Sequence, residues 1–350
     1  MRFKADLRHP TQFARLIASL SPLGKVATLK LKPDAVHLIC MSDGTKSGVQ
    51  VWSQIQNSSL FDLDSLRLDS NHHNEIYLEV SLDALSRALK STHLSHFCES
   101  ELMKRTMDAR QDATRVTIKL AKKGGSGPQG TGEGSYPALS INIESSPRHR
   151  SVDNPKFRHA QSRLGKKVEI VQDVAVRVKK AADIELLKEP LCPAPESVSS
   201  EETPVDVWPS HVITTLPDLQ QLRTVVERLK TVSPFVTISA NNQGELRLRA
   251  EADEANVETE WRGLKRPRGQ ESDFNTQVES PNQFFRVTLD AKSVIKFLAT
   301  YSVASSAIAC LCDSHCAIFY VYIGASKDSV EGGVLTFFIP AVKVDGDDDV

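Results

Sequence analysis

Between Asn74 and Lys90 the chain reads N-E-I-Y-L-E-V-S-L-D-A-L-S-R-A-L-K, and its apolar period changes part-way. Ile76, Leu78 and Val80 alternate with Glu75, Tyr77 and Glu79, the period of a strand with one buried face. Leu82, Leu85 and Leu89 then follow helical spacing, with Arg87 on the opposite side. Ser81 or Asp83 is placed to cap the new helix. The same seam returns at Phe284 to Leu298, where Thr288-Leu289-Asp290-Ala291 matches Ser81-Leu82-Asp83-Ala84 about 207 positions earlier. The helical faces then slip by about two residues, which pairs Arg87 with Lys296. A repeated strand-into-helix unit predicts two copies of one architecture.

The rest of the pattern fits two copies. The first half predicts a strand at Arg2 to Leu7, then a helix at about Thr11 to Leu20 with Phe13, Leu16, Ile17 and Leu20 on one face. Strands follow at Val26 to Leu31, Ala35 to Cys40 and Val49 to Gln54. After the seam come strands at Thr114 to Ala121, Pro137 to Glu144 and Val168 to Val178. The second half predicts a strand at Val205 to Val212 and a helix at Pro217 to Lys230. Strands then run through Phe235 to Ala240, Glu245 to Glu251 and Val257 to Trp261. Beyond the second seam, whose helix reaches Thr300, lie strands at Ala307 to Leu311, Ala317 to Ile323 and Val334 to Ile339. The fold class is α+β: two similar domains, each with two helices on antiparallel sheet.

Composition punctuates this order. A Pro-, Glu- and Ser-rich stretch reads as an interdomain linker at 179–204, between domains at 1–178 and 205–341, with an acidic tail at 342–350. Four stretches read as insertions: 94–112, the Gly-rich 123–135, 145–166 and 262–282. Within the last, Lys265-Arg266-Pro267-Arg268 reads equally as a nuclear-import signal or a solvated loop.

Charge adds the chemistry. Lysines and arginines number 43 against 44 acids in 350 residues, so bulk charge does not mark a nucleic-acid binder and position must. Around the four helices, Arg15, Arg87 with Lys90, Arg228, and Lys292 with Lys296 lie opposite or away from the apolar stripes. One such helix is ordinary solvation. Four in a chain of net charge −1 predict a helical surface suited to loose contact with phosphates. Three Trp and five Tyr argue mildly against a base-stacking reader of single strands.

With these strings in view, the chain resembles a sliding DNA clamp of the processivity-factor fold. More closely it resembles the Hus-type subunit of the heterotrimeric DNA-damage checkpoint clamp, the nine-one-one complex. The strings are Met1-Arg2-Phe3 opening into a strand, Val49 to Trp52, the Asn74 to Lys90 seam, Gly244-Glu245-Leu246 and Phe338-Ile339-Pro340-Ala341. The resemblance implies a nuclear, non-enzymatic subunit without cofactors. It would form a ring with two homologous Rad-family clamp subunits, loaded around double-stranded DNA at damage sites by a clamp loader. There it would serve as a platform for checkpoint and repair proteins. It implies that Arg15, Arg87, Lys90, Arg228, Lys292 and Lys296 line the hole. It also implies ring closure through edge strands, for which Val168, Ile170 and Val176 and, in the other half, Val257, Thr259 and Trp261 are the candidates. A homotrimeric replication clamp is the alternative within the class.

Other chemistry is weaker. Cys310, Cys312, His315 and Cys316 raise the alternative of an α+β metalloenzyme, but Asp313-Ser314-His315 reads as a hairpin turn with Cys310 and Cys312 on one strand face. Buried cysteines acting as small apolar residues is the favoured reading, with no metal. The Gly-rich insertion lacks the G-K-[ST] and helix of a phosphate loop. No catalytic motif stands out. Six scattered cysteines fit a reduced intracellular protein, Met1 to Leu7 reads as a strand and not a signal peptide, and no apolar run reaches the roughly 18 residues of a membrane span.

Overall fold

The computed structural model describes residues 1–42, 48–94, 115–124, 134–145, 168–190, 211–265, 267, 282–324 and 332–342. In the first half the elements are β1 (Arg2–Asp6), α1 (Pro10–Leu20), β2 (Val26–Leu31), β3 (Ala35–Met41), β4 (Gln50–Gln56), α2 (Asn57–Leu60), β5 (Arg67–Asp69), β6 (Ile76–Ser81), α3 (Leu82–Leu94), β7 (Arg115–Gly124), β8 (Ser135–Ser145), β9 (Val168–Val178) and α4 (Ala181–Glu185). The second half has β10 (His211–Thr215), α5 (Leu219–Leu229), β11 (Phe235–Asn241), β12 (Leu246–Ala252), β13 (Ala255–Trp261), β14 (Phe284–Asp290), α6 (Ala291–Leu298), β15 (Ala304–Cys312), β16 (Cys316–Ile323) and β17 (Gly333–Pro340).

The two halves repeat in a constant register. First residues of matching elements fall at 2 and 211, 10 and 219, 26 and 235, and 82 and 291. That interval is two residues longer than the one between the matching Ser-Leu-Asp-Ala and Thr-Leu-Asp-Ala strings. The string match is therefore out of register with the fold. Ser81 takes the cap position of α3, its hydroxyl accepting the Ala84 N–H, and the equivalent cap of α6 is Asp290, accepting from Ser293. In this register the buried Leu82, Leu85, Ala88 and Leu89 coincide with the buried Ala291, Val294, Phe297 and Leu298. Arg87 coincides with Lys296.

By contacts the chain forms two compact units, one of Met1–Ser21, Lys25–Val36 and Gln56–Ile184, the other of Pro22–Gly24, His37–Ile55 and Glu185–Val350. Sequence repeats and compact units thus divide the chain differently, because residues 37–55 group with the second half. Of the proposed linker, Ala181–Glu185 is the short helix α4, with Ile184 buried. Residues 191–210 lie outside the described residues, as do most of the four insertions and 343–350 of the tail.

In the first unit the strands run in the order β2-β6-β9-β8-β7-β1-β5, and neighbouring strands pair antiparallel among the described residues. α1 and α3 lie side by side, burying Phe13, Leu16, Ile17 and Leu20 from one and Leu82, Leu85 and Leu89 from the other. Pro10 starts α1 where its missing N–H costs nothing.

One buried acid ties β1 to β7. Thr117 Oγ1 donates to Asp6 Oδ1 at 2.5 Å, while Arg115 Nε and Nη2 donate to Oδ2 at 2.9 and 2.5 Å. Burial pushes the carboxyl up, but Thr117, Arg115 and Lys4 together outweigh it and hold Asp6 below the usual carboxylate range. A lowered folded-state pKa contributes stability above the unfolded value of about 3.9, and that stability is lost as pH falls through the folded value. Asp6→Asn should cost about 1.5–3 kcal/mol at neutral pH and flatten the acid limb of the stability profile. Urea titrations at a series of pH values check this; an unchanged acid limb would remove Asp6 from the account.

The second unit has the strand order β10-β15-β16-β17-β4-β3 and a separate four-stranded sheet, β13-β12-β11-β14. Asp218 caps α5, accepting from the Gln220 and Gln221 N–H groups at 3.0 Å each. Asp218→Ala should therefore lower stability by about 1 kcal/mol, read as a shift in the urea midpoint without a change in slope. α5 and α6 pack together over Leu222, Val226, Leu229, Val294, Phe297 and Leu298. Phe297 stacks on Phe319 of β16, centroids 4.2 Å apart, and meets Phe337 of β17 edge-on at 5.3 Å.

Candidate nucleic-acid interface and subunit edges

All six basic residues singled out from periodicity lie away from the core. Arg15, Arg87, Lys90, Arg228 and Lys292 are exposed and Lys296 is half-buried. On α3, Asp83, Arg87 and Lys90 form one outer row at helical spacing. The Ser21 hydroxyl donates to the Asp83 carboxylate, and Arg87 Nε donates to the Asp83 carbonyl, both at 3.3 Å. On α6, Lys292 and Lys296 form the corresponding row, one turn apart. Among the described residues no carboxylate lies within ion-pair distance of any of the six.

Neighbouring charges behave differently. Arg223 on α5 is tied to Glu227 at 2.8 Å and lies over the Tyr301 ring, 5.5 Å from its centroid. It is held within its own unit. Lys25 was missed by helical periodicity because it sits in the turn before β2. It is exposed, and its carbonyl accepts the Leu82 N–H, which places it beside the start of α3. Each of α1, α3, α5 and α6 carries a net positive charge, in a chain whose formal charge is −1. That bias would suit loose contact with phosphates through long, water-exposed side chains.

The strand candidates divide. β13 pairs β12 along its length, from Leu246↔Trp261 to Ala252↔Ala255, and its other edge has no strand among the described residues. Val257 is 40% exposed; Thr259 and Trp261 are half-buried. Among the described residues, the chain after Trp261 turns back towards the β11–β12 hairpin and not along that edge. Leu264 N–H donates to the Gly244 carbonyl, and the Thr215 N–H and hydroxyl donate to the Lys265 carbonyl. Gly244 has φ +81, and a Cβ there would meet the Leu264 oxygen at 2.3 Å, so this close return needs glycine. Arg266 and Arg268 of the basic string lie outside the described residues.

β9 is only half an edge. From Val168 to Ala175 it pairs β8, and from Val176 to Val178 it pairs β6. Val176 is opposite Val80 and 6% exposed, so it does not lie on an open edge; this corrects its place among the edge candidates. β6 turns into α3 at Leu82 and cannot follow β9 further. Val168 and Ile170 therefore lie on the half whose second edge has no strand among the described residues. The part of β9 that stays open is set by where β6 ends, which alternation within β9 cannot reveal.

Cys310 and Cys312 pack in one apolar cluster with Ile318 and Phe338, against Trp52, Ile213, Cys316 and Tyr320. His315 is exposed in the turn. Elsewhere burial pushes the Cys40 thiol up to about 12, so it stays protonated and behaves as a core residue. A small void bounded by Leu222, Val226, Ile238, Val294, Phe297 and Phe319 has no polar lining to position a substrate.

A model of the family described as Hus1-like protein matches residues 1–343. The chain belongs to the Hus1-like family. The checkpoint protein hus1 of Schizosaccharomyces pombe is 28% identical over 345 residues, spanning 97% of this chain and 98% of that protein. The human checkpoint protein HUS1 is 25% identical over 316 residues, spanning 89% and 90%. Among solved structures, the proliferating cellular nuclear antigen of Entamoeba histolytica superposes with a TM-score of 0.58 at 12% identity, covering 97% of this chain and 99% of that one. The corresponding protein of Thermococcus kodakaraensis gives 0.54 at 14%, with the same coverage. At these identities the likeness shows the fold, and this Hus1-like chain has the clamp fold that the resemblance implied, with the α+β class read from its periodicity.

Proposed function

We propose that this chain is a non-enzymatic subunit of a heterotrimeric ring clamp, loaded around double-stranded DNA at damage sites as a platform for checkpoint signalling and repair. The observation that carries the reading is the pairing of α1 with α3 and of α5 with α6, each helix net positive, in a Hus1-like chain of clamp fold. Encirclement needs no tight binding. Arg15, Arg87, Lys90, Arg228, Lys292 and Lys296 would face phosphates, screen repulsion and let the ring slide. The setting is nuclear, and the partners are two related clamp subunits, a clamp loader, and checkpoint and repair proteins.

The repeat also supplies a plan for ring closure. β17 pairs β4 within the second unit. In the repeat register β13 is the counterpart of β4 and β9 of β17. The open edges of β13 and of β9 up to Val174 would repeat that pairing with neighbouring subunits. Co-expression with two related clamp subunits should yield a 1:1:1 complex on size exclusion. A ring built from this chain alone would contradict the heterotrimer.

A further inference from the structure

The two open edges differ in charge from the pairing the chain makes with itself. β4 reads Q-V-W-S-Q-I-Q and β17 reads G-V-L-T-F-F-I-P, with no charged residue in either. β13 reads A-N-V-E-T-E-W, and β9 from Val168 to Val174 reads V-E-I-V-Q-D-V. Each open edge carries two acids and no base.

The repeat fixes how these edges would meet in two copies of the chain. In β13, Val257, Thr259 and Trp261 stand opposite the buried Ala250, Leu248 and Leu246. In β4 the inward positions are Val51, Ser53 and Ile55. Glu258 and Glu260 thus take the places of Trp52 and Gln54. In β9, Arg177 stands opposite Glu79, as Val342 meets Thr288 through a 2.8 Å backbone hydrogen bond. Glu169, Val171 and Asp173 thus take the places of Val334, Thr336 and Phe338. The observed pairs Gln54↔Val334 and Trp52↔Thr336 then set Glu260 opposite Glu169 of a second copy. Glu258 falls opposite Val171, diagonal to both Glu169 and Asp173.

Each chain partly neutralises its own acids. Arg247 reaches Glu260 at 3.1 Å and Glu258 at 4.0 Å, Arg262 reaches Glu260 at 2.9 Å, and Lys123 reaches Asp173 at 3.0 Å. Asn142 donates to Glu169 at 2.7 Å. Arg262 first, then Arg247, holds Glu260 below the usual carboxylate range, so it remains ionised. These cations come from β12, from β7 and from the loop after β13. The strands that would touch still oppose acid to acid, and like charges directly opposite disfavour pairing.

We infer that Glu258 and Glu260 on β13, with Glu169 and Asp173 on β9, bar this chain from closing a ring with itself. They select instead edge strands of related clamp subunits bearing Lys or Arg at the facing positions. This rests on the clamp reading above and names the specificity of its edges.

Sedimentation velocity at matched concentration and low salt tests it with three forms. Wild-type chain should remain monomeric. Glu258→Lys/Glu260→Lys should shift to faster-sedimenting species that disperse with added salt, because lysines now face Glu169 and Asp173. Adding Glu169→Lys/Asp173→Lys to that variant should restore the monomer, since both edges are then basic; circular dichroism confirms that each variant folds. Self-association of wild-type, or variants that all sediment alike while folded, overturns the inference. The same samples mixed with two related clamp subunits separate the failures: wild-type that still joins them leaves the clamp reading standing, whereas wild-type that joins neither removes that reading as well.

Discussion

Replacing Phe297 with alanine should cost about 3–5 kcal/mol of stability, more than any other single side chain considered above. Phe297 is 1% exposed and joins three elements: it lies on α6, stacks on Phe319 of β16 and meets Phe337 of β17 edge-on. A small void already lies beside it, so truncation would enlarge a space that neighbouring strands cannot collapse to fill. Urea denaturation should show an earlier midpoint, and Phe297→Leu should lose much less by keeping most of the volume. A loss below about 1 kcal/mol for the alanine variant would mean that α6 is not held by this stack. In the proposed clamp the consequence would reach function, because the same helix presents Lys292 and Lys296.

Reversing charge at Arg87, Lys292 and Lys296 should leave folding and assembly intact while sharply shortening retention of the assembled complex on DNA. None of the three is in the core, and none has a carboxylate within ion-pair distance among the described residues. Each phosphate contact removed should also reduce the salt slope of DNA affinity by about one unit. Arg223→Glu is the control. Its guanidinium is engaged by Glu227 and Tyr301, so it should perturb α5 locally with little effect on retention. Equal losses for both variants would mean that general electrostatics, and not the outer rows of the helices, governs contact.

Long amphipathic elements were legible in the sequence because burial imposes a period over many residues. Both seams, the stripes of α1 and α5, and the exposed positions of Arg15, Arg87, Lys90, Arg228 and Lys292 follow from that period alone. Short elements were not legible. Asn57–Leu60, Arg67–Asp69 and Ala181–Glu185 each span fewer than two full repeats of the signal, too few to show a period, as with Asn57, which is held by its Nδ2 donating to the Lys32 and Pro33 carbonyls.

Register and long-range pairing were the other losses. Matching Leu-Asp-Ala strings drew the seams together two residues out of step, because Asp83 lies in a first turn while Asp290 is a cap. Helix burial agrees with the two-residue slip read from the helical faces, and it aligns Arg87 with Lys296. Val176 alternates like its neighbours, so nothing within β9 shows that β6 covers it. Asp6 lies 109 residues from Arg115 and 111 from Thr117, beyond the reach of any local pattern. The grouping of residues 37–55 with the second half depends likewise on β4 finding β17.

A ring clamp would hold DNA by enclosing it and not by tight binding. The complex with two related clamp subunits, loaded on nicked circular DNA and freed of unbound protein by gel filtration, tests it when the circle is cut once with a restriction enzyme. The complex should stay with the circle, leave promptly once linear ends appear, and leave still faster with charge reversed at Arg87, Lys292 and Lys296. Equal retention on circular and linear DNA would contradict it.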